Sequence, residues 1–212
     1  IAGRAGRHIN DGTFGITGEC KQLSADEIEK LEKHELNKID LLYWRNSEIN
    51  FDSLDNLVFS LEKKTSSEFL RRINDCEDEK VLKFLMKNNK DLKTKHSKDF
   101  IKTLWECCQI PDFSKKAYGN HIDVVNKVFE FLTSKSEKVT NDYMKKQLEH
   151  LDRYDGNIDT LTNRISNVRT WSYVANKKSW VNNPDYWTER TKYIEDKLSD
   201  KLHEELMKSF VD

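Results

Sequence analysis

Two prolines and seven glycines in 212 residues leave little material for the frequent turns that an extended all-β chain requires. An all-β fold is therefore disfavoured. Four cysteines, Cys20, Cys76, Cys107 and Cys108, show no C-x-x-C spacing and are too sparse for a disulfide scaffold. They predict free thiols in a reducing compartment and argue against a zinc site. No apolar run approaches the roughly 20 residues that span a bilayer, and no secretory-type apolar stretch opens the sequence. The expectation is a cytoplasmic protein without a membrane partner, or a mitochondrial one if the source is eukaryotic and residues precede Ile1. Charge of one sign is also missing: 36 lysines and arginines stand against 37 aspartates and glutamates. No global field draws the chain to nucleic acid, so any such binding must use a local patch.

What is abundant is helix-forming material. Charged residues make up 34% and the apolar set 36%, a balance that suits amphipathic helices joined by short polar turns. "SADEIEKLEKHE" starts with Ser24 and carries Glu27 three residues on, a capping box that predicts a helix over about 25–36. Leu54, Leu57, Val58 and Leu61 share one helical face, as do Val81, Leu82, Leu85 and Met86. Phe100, Ile101, Leu104, Trp105 and Cys108 form a third stripe, ended at Pro111 because the residue before proline avoids the α region. Ile122, Val125, Val128, Phe129 and Leu132 form a fourth. The "VTNDYMKKQLEHL" segment then leads to a turn at Asp155-Gly156 and to a helix bearing Ile158, Leu161, Ile165 and Val168. A last helix from about Pro184 to Phe210 aligns Trp187, Thr191, Ile194, Leu198, Leu202 and Leu206, with the proline suited to its first turn.

Glycine is uneven. Gly3, Gly6, Gly12, Gly15 and Gly18 fall in the first 18 residues, which places a boundary near residue 22 and divides the chain into 1–22 and 23–212. The alternation of Phe14 and Ile16 predicts one short strand between Thr13 and Cys20, and everything after it reads as helix and loop.

The sharpest chemical signal is "GRAGR" at residues 3–7. Arg4 and Arg7 lie three residues apart, on one side of a helical turn, beside glycines that let the backbone approach a ligand closely. Two guanidiniums so placed suit a transferring phosphoryl group, whose transition state spreads negative charge over its oxygens; one arginine finger contributes on the order of 10³ to 10⁵ in rate. The same string also fits a solvated terminal tail.

"IAGRAGR" resembles the sixth conserved motif of superfamily 2 helicases, Q-x-x-G-R-x-G-R, lacking only the glutamine that would precede Ile1. Its isoleucine, alanine and middle alanine look most like the mitochondrial-degradosome RNA helicase family and its bacterial relatives. "GTFGITGE", "LLYWRNSEINFDSLDNLVFSLE", "LWECCQIPDF", "LDRYDGNIDTLTNRISNVRTWSYVA" and "YWTERTKYIEDKLSDKLHEEL" resemble the C-terminal segments of bacterial members, so the likeness covers nearly the whole chain. It implies the C-terminal portion of an ATP-dependent RNA helicase, mainly α: an irregular helical bundle preceded by a short α/β remnant of the second RecA-like domain. By the same resemblance Arg7 matches the finger that reaches the γ-phosphate, Arg4 the arginine that contacts phosphate or couples the cleft to RNA, and Gly3 and Gly6 the motif glycines. ATP and magnesium are the implied cofactors, and RNA and an exoribonuclease the implied partners. The sequence holds no Walker A lysine and no DExH carboxylate pair, so these residues are expected neither to bind ATP tightly nor to hydrolyse it alone.

Two stretches offer RNA contacts. From Lys83 to Lys102, seven lysines stand against Asp91 and Asp99, a net +5 that fits either a phosphate track or a solvated face. In "RTWSYVANKKSWVNNPDYW", Arg169, Lys177 and Lys178 interleave with Trp171 and Trp180, which suits base stacking with phosphate pairing. The helical spacing of Trp171 and Trp187 among apolar neighbours fits a core equally well. His34-Glu35 and His203-Glu204-Glu205 lack the second histidine of H-E-x-x-H, "DRYDGNID" lacks the alternate ligands of a calcium loop, and Cys107-Cys108 sits on an apolar face. Two other classes remain open: a non-catalytic helical interaction module, and a DNA helicase of the same superfamily.

Overall fold

The computed structural model describes residues 11–35, 38–74, 76–89, 92, 94, 96–115 and 118–211. It is mainly helical, as expected, with eight helices and one two-stranded sheet among these residues. They group into two compact units, residues up to 44 together with 65–71, and residues 45–64 with 72–212. The division does not coincide with the expected boundary near residue 22.

In the first unit, α1 spans Ala25–Glu32, shorter than the sequence suggests. The capping box forms, with Ser24 Oγ accepting from Glu27 N–H and the Glu27 carboxylate accepting from Ser24 N–H. The helix ends early because His34 turns left-handed (φ 55°), and the amides of His34 and Glu35 return to the carbonyls of Leu31 and Lys30 in a Schellman closure. No residue of α1 is buried. The strand expected between Thr13 and Cys20 is absent: residues 11–17 have no regular structure and a turn follows, with Cys20 N–H donating to Thr17 C=O at 2.9 Å. Two alternating apolar residues cannot make a strand without a neighbour for the ladder. Two strands unforeseen from the sequence form instead, β1 Leu42–Trp44 and β2 Leu70–Arg72, joined where Leu42 N–H donates to Phe69 C=O at 2.8 Å.

The second unit carries the core. Its helices are α2 Leu54–Glu62, α3 Glu77–Asn88, α4 Lys98–Cys108, α5 Tyr118–Thr133, α6 Asn141–Glu149, α7 Ile158–Asn176 and α8 Pro184–Val211. α3 packs on α4, α4 on α5, α6 on α7, and α7 most extensively on α8. The apolar stripes read from the sequence supply this core: Leu57, Val81, Ile101, Leu104, Val125, Val128, Leu161, Val168, Ile194 and Leu198 are all buried. Side-chain caps fix the starts of four helices, from Ser53, Ser97, Thr140 and Asn157. Gly156 (φ 123°) turns the chain into α7, where a Cβ would lie 2.9 Å from Thr160 Cγ2.

A charged network gathers on the first turn of α3. Arg45 grips Asp78 with two hydrogen bonds of 2.8 and 3.0 Å, and Arg72 reaches Glu79 at 2.6 Å and Leu61 C=O at 3.1 Å. Arg45 also lies 3.6 Å from Glu79, whose side chain is 5% exposed, and its guanidinium covers the Trp105 ring at 5.3 Å. Arg45 and Arg72 are the first residues of this unit each time the chain passes into it, so the first turn of α3 fastens the backbone at both crossings. No helix of the described residues is long and apolar enough to cross a membrane.

Candidate nucleic-acid interface

The motif residues Gly3, Arg4, Gly6 and Arg7 lie outside the described residues. The second predicted site is built at the α7–α8 turn. α7 ends when Lys177 leaves helical geometry (ψ 87°), and Trp180 N–H folds back onto Lys177 C=O at 2.8 Å. Val181 then pairs with Val139 in a parallel bridge, where Val139 N–H donates to Trp180 C=O at 2.7 Å. This tie fixes the turn against the α5–α6 loop. It also brings in Lys138, immediately before Val139, from some 40 residues away in sequence, which nothing local in either segment announces.

The tie decides what the aromatics do. Trp180 is 4% exposed and Trp171 3%, so neither ring offers a face to a base. Trp171 stands edge-on to Tyr143 at 5.8 Å, and Tyr143 tilts against Phe131 at 4.9 Å. Trp187 is buried too, with its indole N–H donating to Asn141 Oδ1 at 2.9 Å, which links the first turns of α6 and α8. The expected stacking on Trp171 and Trp180 is therefore corrected: burial in the core takes those rings. Arg169 is held by Glu195 at 2.7 Å. Lys177 rests over Tyr173 and Trp180 at 5.4 and 5.8 Å, and Lys178 is exposed, 3.8 Å from Asp185. Of the five residues predicted here, Arg169 and Lys178 are exposed and Lys177 is half-buried, so the three cations reach the surface while the two indoles do not.

The lysine segment is partly outside the described residues. Lys83 and Lys87 lie exposed on α3, and Lys98 and Lys102 on α4. Lys83 pairs with Glu62 and Lys98 with Asp52, each at 2.5 Å.

The weaker candidates resolve into structural roles. Cys107 and Cys108 are buried, and burial pushes both thiols far up, so they pack and stay protonated. Two acidic groups of "DRYDGNID" are engaged: Asp152 accepts from Tyr154 and Arg190, while Asp155 meets Arg153 at 3.2 Å. Burial and the Asp152 contact hold the Tyr154 phenol up at about 12. Arg164 donates to the carbonyls of Arg153 and Asp155 and closes that loop. Among the described residues, no group of three or more His, Cys, Asp or Glu could hold a metal ion.

No family model matches the chain, and no curated protein or solved structure was found to match it.

Proposed function

We propose that this chain is the C-terminal portion of a superfamily 2, degradosome-type ATP-dependent RNA helicase. The observation that carries the reading is the "IAGRAGR" string, whose two arginines stand at the spacing of a phosphoryl clamp. The helical unit that follows supports it, because a mainly α bundle is what the resemblance implies downstream of that motif. On this reading ATP and magnesium are held largely by residues outside these 212. Arg7 reaches the γ-phosphate, where a fixed guanidinium offsets the charge spread over the transferring oxygens, and Arg4 holds phosphate or couples the cleft to RNA. Gly3 and Gly6 keep the backbone close enough for both. Lys177 and Lys178 meet RNA phosphates as point charges, without base contact. An exoribonuclease that degrades the unwound strand is the partner the resemblance implies.

The test is ATP hydrolysis by the intact protein with RNA and with single-stranded DNA as alternative activators. Stimulation by RNA alone is expected. Equal stimulation by DNA overturns the RNA assignment, and turnover insensitive to both overturns the helicase reading.

A further inference from the structure

We infer that Phe59 and the lysine face of α3 form a stacking platform for single-stranded polynucleotide, RNA on the reading above, which this inference deepens and rests on. α2 turns Leu54, Leu57, Ser60 and Leu61 inward, and its opposite side leaves Phe59 77% exposed, the most exposed large apolar side chain among the described residues. It stands apart from the apolar stripe with which α2 packs. Phe59 forms one wall of an open groove of about 320 Å³ between α2 and α3, lined also by Val58, Met86 and Lys83. The Lys83 ammonium bridges to Glu62 across the groove at 2.5 Å.

α3 supplies the cations. Val81, Leu82 and Leu85 face the core, so the helical period turns Lys80, Lys83, Phe84 and Lys87 together to solvent, with Phe84 42% exposed. Exposed phenyl rings set among lysines match the two needs of an unpaired strand: a π-face for a base and cations for the phosphates beside it. A protein partner fits less well, because the centres of protein interfaces are depleted in lysine. Asp55 and Glu62 also line the groove, so the phosphates fall to Lys80 and Lys87 on α3 and the base to the exposed ring of Phe59. Stacking accepts every base, so recognition here is tolerant of sequence.

The experiment measures binding of a fluorescently labelled 20-nucleotide oligouridine to the 212-residue chain by anisotropy across a salt series, without ATP. Phe59→Ala should weaken binding by about 5- to 150-fold, and Phe59→Trp should restore it. Lys80→Gln and Lys87→Gln should each flatten the slope of log affinity against log salt by about 0.7. A Phe59→Ala variant that binds as tightly as wild type overturns the platform. So does a loss of self-association in that variant, seen by sedimentation, with RNA affinity unchanged. The outcomes separate this inference from the helicase reading: unchanged affinity with RNA-stimulated ATP hydrolysis intact removes only the platform. Weakened binding in a protein whose hydrolysis ignores RNA removes only the helicase reading.

Discussion

Helices α1 and α7 start with equally sound signals and live in opposite surroundings. α1 has a complete capping box, a Schellman closure and ion pairs from Lys30 to Asp26 and from Lys33 to Glu29, yet it buries nothing. α7 has one Asn157 cap and buries Leu161, Ile165, Val168, Thr170, Trp171, Val174 and Ala175. Caps and exposed pairs set where a helix begins and stops, and contribute tenths of a kcal/mol to about 1. Burial decides how hard it is to unfold, at roughly 1.5 to 3 kcal/mol for each large apolar side chain removed from water. The same contrast divides the two units, since no described residue before Trp44 is buried, whereas the second unit holds a continuous core.

The largest way to break the contrast is at Glu79. Its carboxylate is nine-tenths buried and serves Arg72 and Arg45 together, so Glu79→Ala leaves both guanidiniums without their shared partner. The expected loss is about 3 to 5 kcal/mol in guanidinium-chloride unfolding of the second unit, with α1 helicity unchanged. A midpoint equal to wild type would show that the backbone at Arg45 and Arg72 is fastened by something else.

A smaller effect separates the units by pH. His121 is buried on α5, and burial pushes its pKa below the usual 6.5 against the opposing pull of Asp112 and Glu77. The unfolded chain then takes up the proton first as pH falls, so this stabilisation is present above about pH 6.5 and drains away between 6.5 and the lower folded value. The second unit should lose thermal stability across that window, and His121→Phe should flatten the loss. A wild-type curve flat from pH 7 to 5 would contradict it.

The smallest effect belongs to α1. Ser24→Ala removes the cap and should speed amide exchange within Ala25–Glu32 about fivefold while leaving α7 and α8 unchanged. Slowed or altered exchange in α8 would mean that the two regions are not independent.

Period and caps made the second unit legible. Stripes such as Trp187, Thr191, Ile194 and Leu198 on α8, and Pro184 at the start of α8, appear where the sequence puts them. β1 and β2 were invisible because three-residue strands with mostly exposed side chains leave no alternation to read. The reverse error occurred at Phe14 and Ile16, where alternation had no partner strand behind it. At the α7–α8 turn, the aromatic and basic residues were legible but their exposure was not. A bridge from Val139 to Val181 sinks Trp180, and Tyr143 covers Trp171, both through contacts far apart in sequence. The same blindness hid Phe59, which any stripe-based reading passes over because it falls between core positions. Arg4 and Arg7 rest on the sequence motif, since they lie outside the described residues.

The most direct measurement is therefore RNA-stimulated ATP hydrolysis by the intact protein carrying Arg7→Ala. The account predicts turnover lower by on the order of 10³ or more, with an unchanged unfolding midpoint. Wild-type turnover in that variant would contradict it.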